Sequence, residues 1–298
     1  MRGGEISVGY FYALNAGKAD CLVLQLPADG QTKTIVVDGG SKEEHRRPLP
    51  LFLKELGAPQ IDLMILTHIH QDHVGFLQDA AETFFVQEAV VPYPLIPLTP
   101  KQLEAFYSPK QASHLIAYNA LYHSLEKRCR LHTVYPFTGP RCYQFGDYTL
   151  TCLFPPPGAI SPVWGAYQKL TAPTPNAQAI AQEAREQINA DSSIWLLEKG
   201  SQALLLLCGD GLDSNVAESC LRHGVKQVGI IKLSHHGRND KGKVYFRPET
   251  IQSLNPHTVV ISADETVTAR YRSVFDAIAP KARLLVTCEV EQYHRLAV

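Results

Sequence analysis

Four side chains able to bind a metal fall within six residues of this 298-residue chain, in the run Thr67-His68-Ile69-His70-Gln71-Asp72-His73. His68 and His70 alternate, so an extended backbone points both the same way, and a turn after them can direct Asp72 and His73 to an adjacent position. Such a geometry suits two metal ions side by side. Chance clusters of histidine occur in loops, but this one follows an apolar run and precedes Gly75, as a built site would.

The elements that must position the cluster are legible around it. Ile61–Leu66 is apolar nearly throughout, as in a strand covered on both faces, and it delivers the chain straight into the motif. Upstream, Glu5–Leu14, Cys21–Leu26 and Thr34–Val37 read as strands, and Leu49–Leu56 reads as a helix between Pro48 and Gly57. Downstream, Val74–Ala81 predicts a short helix and Phe84–Val91 a strand. Pro92, Pro94, Pro97 and Pro100 then punctuate a loop before one or two helices over Lys101–Arg130. Residues 92–130 therefore read as an insertion beside the site. Its histidines, His114 and His123, are nine apart with no carboxylate at ligand spacing, so they read as helix-surface residues.

The second half repeats this organisation, with strands at Tyr148–Phe154, Ile194–Glu198, Ala203–Leu207, Val228–Leu233 and Thr258–Ser262 and helices at Asp213–His223 and Thr268–Ile278. Residues 155–190 break the rhythm: a Pro-, Gly- and Ser-rich stretch followed by the polar, helix-prone Asn176–Ile188 predicts a mobile surface excursion. Strands alternating with helices after an initial meander predict two packed sheets covered by helices.

Composition narrows the class. A hydrophobic content of 45% supports a substantial core, and no run approaches the ~18 apolar residues of a membrane span. Met1–Leu14 lacks the pattern of a secretion signal, which sets the expectation of a cytoplasmic protein. Seven dispersed cysteines with no C-x-x-C pair suggest neither a disulfide framework nor a thiolate zinc site. A net charge of −1 excludes a basic footprint over the whole protein. One local basic run remains, comprising Arg222, Lys226, Lys232, Arg238, Lys241, Lys243 and Arg247, opposed only by Asp240.

The motif Thr67-His68-Ile69-His70-Gln71-Asp72-His73-Val74-Gly75 resembles the signature of the metallo-β-lactamase superfamily. Four further segments resemble its ComEC/Rec2-like branch, in order: Asn15-Ala16-Gly17-Lys18-Ala19-Asp20 with Val36-Val37-Asp38-Gly39-Gly40, Asp191-Ser192-Ser193-Ile194-Trp195-Leu196, Leu207-Cys208-Gly209-Asp210, and Lys232-Leu233-Ser234-His235-His236-Gly237. These matches span most of the chain.

The resemblance implies an αββα four-layer sandwich, expected here as a single domain over residues 1–298 with insertions at about 92–130 and 155–190. It also implies a ligand set: His68 and His70 on one metal, Asp72, His73 and one of His235 or His236 on the other, and Asp210 bridging both. We take His235 as the ligand and His236 as a substrate contact. Nitrogen and carboxylate donors suit Zn²⁺ first, one ion or two, with Mn²⁺ or iron possible. Many superfamily members supply another histidine after the strand equivalent to Tyr148–Phe154. Here Pro155-Pro156-Pro157-Gly158 stands there, and His132 falls before that strand.

Two metals would lower the pKa of a water toward ~7 and polarise the scissile group. Asp72 would ligate and orient the nucleophile, and Lys232, His236 and Arg238 would offset charge on an anionic substrate. Asp38, ending a strand near the centre, could orient a ligand imidazole or simply make a turn. The basic residues beside the ligand loop favour a phosphodiester, so the expected activity is that of a phosphodiesterase or nuclease, with nucleic acid among the candidate substrates. Rival expectations are hydrolysis of a small ester, lactone or thioester, and a degenerate metal-binding regulatory module.

Overall fold

The computed structural model describes residues 8–43, 48–240, 242–278 and 280–298. The chain first builds strands β1 (Tyr10–Leu14), β2 (Cys21–Ala28), β3 (Gln31–Gly39), β4 (Leu63–Ile65), β5 (Glu88–Val91) and β6 (Arg130–Thr133). It then builds β7 (Cys142–Phe145), β8 (Tyr148–Phe154), β9 (Ile194–Lys199), β10 (Gln202–Leu207), β11 (Ile230–Lys232), β12 (Thr258–Ile261) and β13 (Arg283–Val286), and ends on β14 (Tyr293–Ala297). Two seven-stranded sheets result, ordered β14-β1-β2-β3-β4-β5-β6 and β13-β12-β11-β10-β9-β8-β7.

Each sheet is an antiparallel meander that turns parallel part-way. The switch comes at β3/β4 in the first sheet and at β10/β11 in the second. Side-chain alternation shows how the layers form. Trp195, Leu197, Leu205 and Leu207 join the core between the sheets, while Ile194, Leu196, Leu206 and Cys208 join a second core on the outer face. Strands buried on both faces are thus largely apolar, as Ile61–Leu66 reads in the sequence. The outer core is covered by helices over Asp213–Arg222 and Glu265–Ile278. This is the αββα sandwich expected from the motif.

Among the described residues the α-helices run in the order α1 (Leu49–Glu55), α2 (Gln71–Val74), α3 (Leu77–Thr83), α4 (Pro100–Phe106), α5 (Pro109–Glu126), α6 (Pro162–Lys169), α7 (Ala177–Gln187), α8 (Asp213–Arg222), α9 (Pro248–Ser253) and α10 (Glu265–Ile278). The insertion over 92–130 holds α4 and α5, which break at Tyr107 because Ser108-Pro109 starts a new helix with its own capping box. Residues 155–190 correct the expectation of a mobile excursion, since they form α6 and α7 with buried inner faces. Their apolar face rests on small residues, Ala181 and Ala184, beside Val163 and Tyr167, so overall polarity concealed it. Among the described residues, no helix is long and apolar enough to cross a membrane.

Candidate metal centre

β3 and β4 run parallel, so their C-terminal ends open on the same side. Asp38, at the end of β3 with φ +59°, is buried and accepts three hydrogen bonds. Thr67 gives it two, from the backbone N to Oδ1 and from Oγ1 to Oδ2, each at 2.8 Å, and His73 Nδ1 lies 2.7 Å from Oδ2. Asp38 therefore orients a candidate ligand and fixes which nitrogen of His73 faces the centre. The motif loop closes tightly on β3: a Cβ at Gly75 would lie 1.9 Å from the Gly40 carbonyl oxygen, so only glycine fits there.

Across the sheet interface, β10 leads to Asp210 and β11 leads to His235 and His236. Asp210 is the pivot. Its Oδ2 lies 3.7 Å from His68 Nε2, which is itself 3.0 Å from His70 Nδ1. Its Oδ1 lies 3.4 Å from His73 Nε2 and 3.8 Å from His236 Nε2, and His236 Nε2 is 3.4 Å from Asp72 Oδ2. Two donor groups result, His68–His70–Asp210 and Asp72–His73–His236, each with its ligand atoms within 4.8 Å of one another. A metal ion fits here on independent grounds. His73 Nε2, His236 Nε2 and Asp210 Oδ1 are buried without a hydrogen-bond partner, a costly arrangement unless a cation satisfies them.

Charge reinforces the division. Burial works against a charged His73, but the carboxylates of Asp38 and Asp210 outweigh it and hold its pKa well above the usual range. His68 is pushed well below that range, by burial first and by the His73 charge second. His70 is lowered to about 4, chiefly by burial. Asp210 is held low despite its burial, because His236 and His73 face it. Imidazoles kept neutral beside an ionised carboxylate are ready-made metal donors.

The histidine pair corrects one expectation. His236, assigned to substrate, is the residue that meets Asp72 and His73; its Nδ1 sits 3.0 Å from the Ser262 carbonyl, leaving Nε2 aimed at the cluster. His235, assigned to metal, has Nε2 3.9 Å from Asp210 Oδ2, but Arg238 Nη2 already lies 3.3 Å from that nitrogen. Both histidines take left-handed backbone, φ +49° and +57°, which swings consecutive side chains to different sides.

Lys232 is corrected too. It is fully buried and donates to Asp20 Oδ2 at 2.7 Å and to the Leu233 carbonyl at 2.9 Å, so it is beyond reach of any substrate. The rest of the basic run is scattered: Arg222 pairs with Glu218, Arg247 with Asp213, and Lys243 bonds the Glu186 carbonyl. Lys241 lies outside the described residues. Besides the buried Lys232, Arg238 is the member of the run that reaches a histidine of the ligand loop among the described residues.

Two residues escaped the sequence reading. Asp20 joins a third donor group with His73 and Asp210 and lies 3.6 Å from His236 Nδ1. It stood inside the Gly17-Lys18-Ala19-Asp20 turn, where an acidic residue could have been marked. His114, read as a helix-surface residue, has its ring 5.7 Å from that of His70, and its Nε2 is buried without a partner. Spacing along one helix could not show this, because the neighbour comes from another element. His132 sits on β6, 2.9 Å from Glu88, away from the cluster.

Comparisons with known proteins agree with this architecture. The family model of the metallo-beta-lactamase superfamily matches residues 14–142, the part that contains the His68–His73 motif. No curated protein matches the chain. Among solved structures, a variant of CmlA, a diiron beta-hydroxylase from Streptomyces venezuelae, aligns with TM-score 0.53 at 11% identity, covering 99% of this chain but 55% of that one. The chain thus spans about half the length of that relative. Igni18, a metallo hydrolase from Ignicoccus hospitalis, aligns at TM-score 0.48 and 12% identity, covering 97% and 98% of the two chains. A diphosphatase of the PhnP family aligns at TM-score 0.44 and 11% identity, covering 97% of each. At 11% identity the likeness to the CmlA variant is one of fold alone, and the matched family model together with the two helix-flanked sheets gives a metallo-β-lactamase fold.

Proposed function

We propose that the chain is a metal-dependent hydrolase with a two-metal centre, acting on phosphodiesters of small molecules. One observation carries the reading: the two oxygens of Asp210 face separate donor groups, one built on His68 and His70, the other on Asp72, His73 and His236. Zn²⁺, Mn²⁺ or iron held there supplies Lewis acidity and makes a water acidic enough to attack near neutral pH.

The chain's own residues do the rest. Asp72 is the candidate for orienting the attacking water, because its side chain is 31% exposed while that of Asp210 is 3% exposed. Asp38 holds His73, Ser262 holds His236, and Arg238 stands beside His235 where charge on an anionic substrate would need offsetting. A small substrate is favoured over polymeric nucleic acid because the basic run is dispersed or paired and offers no continuous track for phosphates.

Elemental analysis of protein purified without chelator, paired with turnover of bis(p-nitrophenyl) phosphate, tests this. We expect at least one transition metal per chain and hydrolysis that Asp72→Asn lowers by about 10²-fold or more with unchanged circular dichroism. Negligible metal uptake would favour a regulatory module. Turnover of a lactone or thioester but of no phosphodiester would replace the substrate class.

A further inference from the structure

The two insertions meet beside the metal centre and form an open-mouthed cavity of about 110 Å³ that His70 borders. Tyr107, His114 and Leu115 come from the first insertion, and Tyr167, Arg185 and Ile188 from the second. Its exposed surface is mostly carbon, yet three polar atoms of its lining residues are buried without partners: the hydroxyls of Tyr107 and Tyr167, and His114 Nε2. Arg185 adds a cation, and no carboxylate lines the cavity among the described residues.

We propose that this cavity is the specificity pocket of the site and takes one planar ring, an aryl or single-ring nucleobase group, that carries acceptor atoms on its rim and is esterified to the phosphate held at the metals. Size sets the first limit. An apolar cavity of about 150 Å³ holds one benzene ring, so this one, at about 110 Å³, takes no more than a single ring and excludes a stacked pair. Leu115 and Ile188 provide apolar surface for the ring to lie against.

Donors set the second limit. Burial pushes the Tyr107 phenol up to about 12 and Tyr167 well above its ordinary value, so both stay protonated and can donate. With Arg185 alongside, the lining favours oxygen acceptors such as carbonyl, nitro or carboxylate groups and disfavours a cationic ring. The donor groups of the metal centre come from neither insertion but from the segments that follow β1, β4, β10 and β11. The shared contribution of the insertions is the pocket.

The proposal rests on the hydrolase reading for the reacting group, so binding is measured apart from turnover. Phenylphosphonate and methylphosphonate serve as probes, titrated calorimetrically into the metal-loaded full chain. They share the anionic group and differ by the ring. We expect phenylphosphonate to bind about 10-fold tighter or more, and Leu115→Trp, which fills the cavity, to bring the ratio near unity. Tyr107→Phe, which deletes one oxygen, should reduce any preference for 4-nitrophenylphosphonate over phenylphosphonate several-fold; it decides the matter if Leu115→Trp does not fold. Equal affinity for the phenyl and methyl probes in the wild type, or a ring preference that survives in folded Leu115→Trp, overturns the pocket. A ring preference abolished by Leu115→Trp, in a protein that hydrolyses no phosphodiester, supports the pocket and removes the reaction instead.

Discussion

The two halves of the molecule build the same device and use it differently. In each, an antiparallel meander turns parallel, a carboxylate stands at or just past the end of the last antiparallel strand, and histidines follow the next strand: Asp38 with His68–His73 in the first half, Asp210 with His235–His236 in the second. Asp38 accepts three hydrogen bonds and works through His73, whereas Asp210 Oδ1 is buried with no such partner and faces the histidines themselves. Equivalent positions thus divide the labour between holding a ligand and being one. Hydrogen-bond saturation, not sequence context, separates the two.

The sharpest way to break this comparison is to neutralise each carboxylate in turn. Asp210→Asn should lose metal from both donor groups and lower hydrolysis on the order of 10³-fold. Asp38→Asn should cost only about 10–100-fold in metal affinity, as loss of an orienting partner does. Equal effects in metal titrations would collapse the distinction.

Lys232 tests the supporting layer of the second half. Lys232→Met leaves the Asp20 carboxylate buried without its cation, and unfolding in urea should show a loss of about 3–5 kcal/mol. The same experiment on Arg222→Ala, whose partner Glu218 is exposed, should show less than about 1 kcal/mol.

A subtler readout is pH. In metal-free protein His73 has a raised pKa, so its contribution to stability is fully present below the ordinary histidine value of about 6.5 and is lost as pH rises through the folded-state value. A metal must displace that proton. Uptake at pH 7 should therefore release about one proton per chain from this residue, read by calorimetry in buffers of different ionisation enthalpy, and apparent affinity should fall as pH is lowered. Asp38→Asn should reduce the release.

Much of this was legible in the sequence, for identifiable reasons. The apolar run Ile61–Leu66 announced a doubly covered strand, and local spacing placed four donors of the motif together. What stayed hidden depended on through-space neighbours or on backbone sign. Left-handed backbone at His235 and His236 decides which ring turns inward, and no residue type there advertises it. Lys232 looked available because its partner, Asp20, lies 212 residues away. His114 looked superficial because helical spacing says nothing of the element it packs beside.

β14 gives the centre a history as well as a shape. It pairs along β1, Tyr10 opposite Ala297 through Leu14 opposite Tyr293, and Asn15 donates from Nδ2 to the Val290 carbonyl across a separation of 275 residues. Asn15 opens the turn that carries Asp20, whose backbone N bonds the Asp72 carbonyl at 3.1 Å. During synthesis, therefore, the first sheet lacks its border until β14 has been translated, and closing so long a loop is slow. Every donor from Asp20 to His236 is translated before the Asp20 turn gains its anchor, so nascent chains cut short of β14 would carry every donor yet hold them on an unfinished scaffold.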